Sequence, residues 1–323
     1  METLQTKFRP SLASPMEGTS AIVSGYSEYY LFNFMEHVIS GLKSVGKIRT
    51  SETYATTLRS LMRFFNYRDI RLDALNSDRM MEYESYLKAN GVSPNTSSFY
   101  MRNLRAVYNR AVEKNLTPQR FPFKHVYTGV DKTMKRAIPA KAIRQIKHMD
   151  LAGSPSLDFA RDMFLFSFYT RGMSFVDMAY LRKKDLCNGF LTYYRRKTGQ
   201  KLTVKWERCM QNLLDKYDTG YSDYLLPIIS LQSKIDVRSQ YLYASNKINK
   251  CLKIIGEKLK LPLPLTMYVS RHSWASIAKS MNVPLSVISE GMGHDSEATT
   301  RIYLASLSTA AVDRANLKIL KSL

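Results

Sequence analysis

The chain has 323 residues, of which 45% are hydrophobic, and this is enough to build two globular domains with separate cores. Lys and Arg total 48 against 27 Asp and Glu, so the formal net charge is +21. Such a surplus predicts a polyanionic partner, because neutralising phosphates and releasing their counterions supplies most sequence-independent affinity for nucleic acids. An anionic membrane surface is the competing partner, but no apolar run approaches transmembrane length and no strongly basic amphipathic helix stands alone.

Residues 1–20 are polar, contain two prolines and lack the apolar core of a signal peptide. They predict a flexible tail and a protein that stays in the cytoplasm. Cys187, Cys209 and Cys251 are widely spaced and have no His or Cys at ligand spacing, which argues against disulfides and zinc. We interpret them as small buried hydrophobic residues.

Residues 21–120 predict a helical domain, because apolar residues recur there at helical spacing between capping signals. The predicted helices are Tyr26–Leu42, a second one capped by Thr50 or Ser51, a third from Asn76 or Ser77 to Ala89 with Asn90-Gly91 as its C-cap, and a fourth restarted by Ser93-Pro94-Asn95. The apolar face of the fourth helix consists of Met101, Leu104, Tyr108 and Ala111.

The opposite side of this fourth helix carries Arg102, Arg105 and Arg110. Charge opposite an apolar stripe usually means a solvated face. Here, however, the segment from Arg102 to Lys147 contains twelve Lys and Arg against two acids, whereas a solvated face mixes both signs. We therefore predict that these three arginines contact nucleic acid.

Between residues 121 and 137 the periodicity fails, and Pro122 and Gly129 are interspersed with basic residues. This composition predicts a linker between two domains. Its basic side chains, Lys132, Lys135 and Arg136, are predicted to contact phosphates rather than bases, which positions a protein without specifying a sequence.

Residues 138–323 predict a second, mixed domain. A helix over Pro139–His148 precedes a nearly all-apolar and therefore buried helix over Ser156–Tyr169. Two β-rich segments, Phe190–Arg195 and Leu202–Trp206, are joined by a hairpin turn over residues 196–201. Further helices are predicted at Glu207–Tyr217, Ser239–Leu259 and, near the C-terminus, Ser308–Leu320. The fold class is therefore mainly α with a small β-hairpin or sheet.

The stretch from Leu265 to Leu304 contains the residue types that bind and attack a phosphodiester. Arg271 is predicted to begin a helix with the apolar stripe Trp274, Ile277, Ala278 and Met281, where the helix dipole also favours an anion. His294 follows a glycine turn, and Tyr303 lies nine residues further on. Taken singly, these residues are explained as a salt bridge, a loop histidine and a core tyrosine. Their joint spacing favours the functional interpretation.

This set resembles the C-terminal signature of the tyrosine recombinases, the phage integrase family, in which His-x-x-Arg and Leu-Gly-His precede a tyrosine nine residues after that histidine. Arg271, His294 and Tyr303 match in order and spacing. Tyr268 stands where the family has histidine, and Met292 replaces the leucine. The resemblance implies a two-domain DNA clamp, in which a helical, SAM-like core-binding domain precedes an α+β catalytic domain.

The resemblance also implies a first catalytic arginine in the turn after the buried helix. Counting back from Asp177 places Ser174 in that register, whereas Arg171 lies three residues earlier in the same turn, and we assign the role to Arg171. We interpret Ser174 and Asp177 as a helix capping box. Lys197, in a Lys-Thr-Gly turn, matches the hairpin lysine that protonates the leaving 5′ oxygen. Tyr268 is predicted to support phosphate binding or to orient a neighbour, because a phenol with a pKa of about 10 is no base at neutral pH.

The function that the resemblance implies is site-specific recombination. Tyr303 would form a 3′-phosphotyrosine, and strands would be exchanged through a Holliday junction without a cofactor or metal. The implied partners are duplex DNA with paired inverted-repeat-like sites and further copies of the chain, two at each site and four in the synapse, coupled by the C-terminal helix. The protein would work with the nucleoid. Integration, excision and inversion remain open. A catalytically impaired DNA-binding regulator on the same fold is the alternative, and a type IB topoisomerase is a third possibility.

Overall fold

The computed structural model describes residues 28–131, 136–220, 222–294 and 296–304, together with residues 316, 317 and 320. The chain divides into two compact units, residues 1–133 and 134–323. The predicted tail, Tyr26 and most of the predicted helix Ser308–Leu320 lie outside the described residues. Among the described residues, no helix combines the length and hydropathy needed to cross a membrane.

The N-terminal unit is helical, as predicted. It consists of α1 Leu31–Ser44, α2 Ile48–Phe64, α3 Ser77–Ala89 and α4 Pro94–Glu113. Asn76, one of the two predicted starts of α3, and Ser93, in the segment predicted to restart the chain into α4, cap these helices by accepting from backbone N–H groups three residues on. The predicted cap of α2 is wrong, because that helix begins after Lys47 without a side-chain cap.

The predicted linker begins too early. Phe123 and Val126 are buried in the core of the N-terminal unit. Ser98 Oγ donates to the carbonyl of Gly129 over 2.5 Å, and Asp131 N donates to Asn95 Oδ1 over 2.8 Å. The segment up to residue 131 thus packs on α4, because two aromatic or aliphatic side chains outweigh the polar and proline-rich composition around them.

The C-terminal unit combines helices with a small sheet. In chain order it contains α5 Ala140–Lys147, α6 Pro155–Tyr169, α7 Phe175–Ala179, β1 Leu186–Cys187, β2 Phe190–Tyr194, β3 Lys201–Lys205, α8 Arg208–Leu214, α9 Val237–Lys258, α10 Met267–Ser280, α11 Leu285–Gly291 and α12 Glu297–Tyr303. The sheet is antiparallel, in the order β1-β2-β3. The predicted fold class is confirmed; β1, of two residues, was not predicted.

The core of this unit lies around α6, which is buried on most sides. Ser270 Oγ on α10 donates to the carbonyl of Phe164 over 3.2 Å, and Ile138 N donates to Ser273 Oγ over 2.9 Å. These contacts bring the first turns of α10 into the core. Arg271 is the fifth residue of α10 and not its first, so the predicted position at the helix start is wrong.

Two further expectations fail in this unit. Met281, assigned to the apolar stripe of α10, is 72% exposed, since that helix ends at Ser280. Cys187 is exposed, and Cys209 and Cys251 are only partly buried, so the cysteines are not core residues; all three are free thiols.

Candidate active site

Arg271 is 5% exposed and donates hydrogen bonds to two loops. Its Nη1 donates to the carbonyl of Gly172 over 2.7 Å, and its Nη2 donates to the carbonyl of Met292 over 2.6 Å. Nη2 also lies 3.0 Å from Nε2 of His294. One guanidinium therefore joins the turn after α6 to the turn after α11.

Arg171 lies in the turn that ends α6, with a left-handed backbone (φ 61°). Its Nη1 donates to the carbonyl of Thr203 on β3 over 3.4 Å, and its Cδ lies beside Gly291. Gly172 (φ +73°) packs directly on α10, where a Cβ would lie 2.7 Å from Cα of Arg271. The turn thus brings Arg171 beside the elements that contact Arg271.

Ser174, the residue in the family's register, has a capping role. Its Oγ accepts from Asp177 N at the start of α7 and donates to the Asp177 carboxylate over 2.6 Å. The other carboxylate oxygen accepts from Arg196 N over 2.9 Å. The capping interpretation of Ser174 is confirmed, and Asp177 additionally ties α7 to the hairpin.

His294 is buried and its hydrogen bonds define a tautomer. A guanidinium only donates, so Nε2 accepts from Arg271, and Nδ1 carries the proton donated to Thr300 Oγ1 over 2.7 Å. Burial, followed by the positive charges of Arg271, Arg195 and Lys197, lowers the pKa of His294 to about 4. The imidazole is therefore neutral at pH 7 and lies in a strongly positive field.

Tyr303 is the last residue of α12, and its side chain lies outside the described part of the structure. Two nearby residues of the chain hold the helix in place. Thr300, one helical turn earlier, is fully buried against His294, and Leu304 is buried in a cluster with Ala278 and Ile288. The helix that carries Tyr303 is thus anchored to the histidine turn.

The β2–β3 hairpin contacts the turn that precedes His294 through a residue that was not predicted from the sequence. Lys197 is exposed in the turn between β2 and β3. Arg195, two residues earlier, is 8% exposed and its Nη1 donates to the carbonyl of Gly293. Leu191 and Tyr193 face inward on β2, so strand alternation also directs Arg195 inward. That pattern was the available signal for it.

The buried phenol of Tyr193 lies near the same positively charged side chains. Burial raises the pKa of its phenol, whereas Arg271, Arg195 and Arg171 each act to lower that pKa. Three guanidinium groups therefore lie within electrostatic reach of one buried ring. Together with His294 they form a basic centre, which we call the arginine cluster (Arg171, Arg195, Arg271 and His294).

Tyr268 is 48% exposed on α10, one turn before Arg271. Its ring packs edge-on against His272, with 4.5 Å between centroids. His272, interpreted as structural, is itself buried. Tyr268 therefore lies at the surface of α10, packed against His272.

The residues predicted to bind DNA occupy different surroundings. In the N-terminal unit, Arg105 Nη1 donates to Thr128 Oγ1 over 3.5 Å and Arg102 lies near Tyr127, whereas Arg110 lies over the Tyr54 ring at 5.8 Å. The three arginines thus do not share one narrow stripe. Arg136 is exposed, and Lys132 and Lys135 lie outside the described residues.

No group of three or more His, Cys, Asp or Glu side chains able to hold a metal ion occurs within the described ranges. The chemistry that the cluster itself can perform is the binding of an anion, because guanidinium groups form forked, charge-assisted hydrogen bonds to phosphate oxygens.

Comparison with known proteins finds a family match for the N-terminal unit and a structural likeness over most of the chain. Residues 30–126 match the family model of the phage integrase SAM-like domain. A fragment of lambda integrase, solved as a dimer bound to a COC′ core site, is 15% identical with a TM-score of 0.65, over 85% of this chain and 95% of that one. No curated protein matches the sequence.

Two further structures are similar over most of the chain. A lambda integrase tetramer bound to a Holliday junction is 14% identical with a TM-score of 0.64, over 90% of this chain and 81% of that one. A fragment of the Tn1549 transposon integrase, in complex with a circular intermediate DNA, is 14% identical with a TM-score of 0.63, over 89% of this chain and 98% of that one.

The chain therefore has the fold of these integrases, and its residues 30–126 match the phage integrase SAM-like domain. The predicted resemblance to this family is confirmed.

Proposed function

We propose that the protein is a tyrosine site-specific recombinase, which cleaves and rejoins DNA strands through a covalent 3′-phosphotyrosine. The observation that carries the proposal is the convergence of Arg171, Arg271 and His294 beside the hairpin with Lys197, with the helix of Tyr303 hydrogen-bonded to the same histidine. A tyrosine nucleophile suits this task because the phosphate stays an ester that the freed hydroxyl can attack in return.

Each residue then has a role in the step. Tyr303 attacks the scissile phosphate, and the bond from phosphorus to the 5′ oxygen breaks. Arg171 and Arg271 bind the two non-bridging oxygens and stabilise the added charge of the pentavalent transition state. Lys197 donates a proton to the departing 5′ oxygen.

His294 fits a role at the phosphate. Its low pKa keeps it neutral in the free protein, so it adds no further positive charge to the cluster at pH 7. A bound phosphate supplies negative charge, which raises the pKa of the histidine and lets it accept the proton of Tyr303 or hydrogen-bond the phosphate. Tyr268, half-exposed one turn from Arg271, supports the phosphate as a hydrogen-bond donor.

DNA binding would involve both units. Arg102, Arg105 and Arg110 on the SAM-like domain, and Lys132, Lys135 and Arg136 after it, would contact the sugar-phosphate backbone. The two-domain clamp, with a boundary near residue 137, is part of this proposal. Lambda integrase has been solved as a dimer on a core site and as a tetramer on a Holliday junction. We propose the same assembly here, acting on paired inverted-repeat-like sites in the nucleoid.

The test uses nicked DNA fragments from the protein's own locus, on which cleavage releases a short strand and traps the covalent complex. We expect an adduct that survives denaturant with the wild-type protein and none with Tyr303→Phe, while both bind the DNA equally. Sequence-specific binding without an adduct would support the regulator instead. Supercoil relaxation without sequence preference would support a topoisomerase.

A further inference from the structure

Arg195 lies where the sheet would ordinarily place an apolar side chain. It comes directly after β2, continues the inward alternation of Leu191 and Tyr193, and is 8% exposed. Burying a guanidinium is costly unless hydrogen bonds and charge compensate for lost water. A buried arginine at this position therefore requires an explanation beyond packing.

The side chain of Arg195 joins the hairpin to the turn that precedes His294. Its Nη1 donates to the carbonyl of Gly293. That turn packs closely on the hairpin, because a Cβ on Gly293 (φ +64°) would lie 2.8 Å from Leu202 Cδ1 and 3.1 Å from Gln200 Oε1. The hairpin and the histidine turn thus meet at Gly293, and Arg195 supplies the polar bond between them.

The backbone of Arg195 closes the turn that carries Lys197. Its N–H donates to the carbonyl of Gln200 over 2.8 Å, and its carbonyl accepts from Gly199 N over 2.7 Å. Residues 196–199 are exposed, with the Arg196 guanidinium over the Tyr180 ring. The bond from Arg196 N to Asp177 is a second anchor on the same side of Lys197.

We propose that Arg195 is a positioning residue for proton transfer, which holds the hairpin against the Gly293 turn so that Lys197 reaches the leaving 5′ oxygen. The inference rests on the proposed function. It assigns Arg195 to the leaving-group side of the reaction, in contrast to Arg171 and Arg271, which act on the non-bridging oxygens.

This role has a distinctive chemical consequence. When sulfur replaces the bridging 5′ oxygen, the leaving group is a thiolate, which departs without a proton because a thiol is far more acidic than an alcohol. A defect in proton donation disappears on that substrate. A defect in transition-state binding, or in folding, persists on both substrates.

The experiment compares single-turnover adduct formation on the mapped cleavage site with a normal phosphodiester and with a 5′-bridging phosphorothiolate. We expect Arg195→Met to be slowed about 10²-fold on the normal site, the usual contribution of a general acid. On the phosphorothiolate it should recover to within about threefold of wild type, as Lys197→Ala should. Arg195→Lys, which keeps a donor, should fall between wild type and Arg195→Met on the normal site.

Two controls separate position from charge and from phosphate binding. Arg196→Met removes the same charge one residue further on, where the guanidinium lies 3.9 Å over the Tyr180 ring, and should react at the wild-type rate. Arg271→Gln should be slow on both substrates.

The inference would be overturned if Arg195→Met or Arg195→Lys were slowed equally on both substrates. It would also be overturned if these variants reacted at the wild-type rate on the normal phosphodiester. Wild-type protein that forms no adduct on either substrate would refute the proposed function itself.

Discussion

Replacing Gly172 with alanine tests the close contact between the Arg171 turn and α10. Gly172 has φ +73°, where alanine costs about 1–2 kcal/mol. The new Cβ would also lie 2.7 Å from Cα of Arg271, whereas ordinary contact begins at 3.4 Å. The two backbones must therefore separate by about 0.7 Å. We expect a further loss of about 1–3 kcal/mol from overpacking.

The same displacement moves Arg171 and Arg271 apart. Misplacing catalytic groups by about 1 Å costs on the order of 10²-fold in rate, so we expect adduct formation by Gly172→Ala to fall by that factor.

Gly189→Ala is the matched control. Gly189 has φ +76° in the same unit, but its Cβ would meet nothing within 4 Å. It should therefore lose only the backbone contribution and keep wild-type cleavage. Urea denaturation measures the free energy of unfolding of both variants, and the nicked-DNA assay measures their rates. Equal stability and equal rates for Gly172→Ala and Gly189→Ala would refute the proposed packing of the two arginines.

Three further predictions concern buried polar groups. The pKa of His294 is about 4 in the folded state and 6.5 for an unperturbed histidine, so the unfolded state binds the proton first as the pH falls. The wild-type protein should therefore lose up to about 1.4 kcal/mol of unfolding free energy per pH unit between pH 6.5 and pH 4. Urea titrations at each pH should show a smaller loss per pH unit for His294→Gln. Thr300→Val removes the hydroxyl that is hydrogen-bonded to Nδ1 of His294 and should slow adduct formation roughly tenfold or more. Thr299→Val, at an exposed position, should not slow it. Equal rates for the two variants would contradict the role of the hydrogen bond between His294 and Thr300. The buried carboxylate of Asp162 contacts Arg161, Lys216 and Tyr217. Asp162→Asn weakens this network and should lower the free energy of unfolding by about 3–5 kcal/mol. The control Asp73→Asn, in an exposed ion pair with Arg71, should lower it by at most about 1 kcal/mol.

The sequence predicts those elements whose ends carry local signals. Asn76 and Ser93 cap α3 and α4 where expected, and the apolar runs on both sides of Lys-Thr-Gly become β2 and β3. The start of α2 has no capping side chain, and its position is set by packing instead. Local sequence therefore placed the starts of α3 and α4 because a side chain satisfies the backbone there.

The residues of the candidate site were predicted from their spacing in the sequence, but the geometry of the site could not be predicted in this way. The order of Arg271, His294 and Tyr303 is readable in one dimension, but the bond that links Arg271 to Gly172 joins residues far apart in the chain. Arg195 was missed because an arginine at the end of a strand is usually solvated, so its place in the inward alternation with Leu191 and Tyr193 was not taken as a signal. Long-range packing decides both features.

The central claim is that Tyr303 is the nucleophile, and mass spectrometry of the trapped adduct tests it most directly. Trypsin cleaves after Arg301 and Arg314, so the peptide over residues 302–314 contains Tyr303 as its one tyrosine, whereas Tyr268 falls in the peptide over residues 261–271. After nuclease digestion, we predict a nucleotide joined through its 3′ phosphate to the 302–314 peptide. A nucleotide on the 261–271 peptide, or on any residue other than Tyr303, would contradict the account.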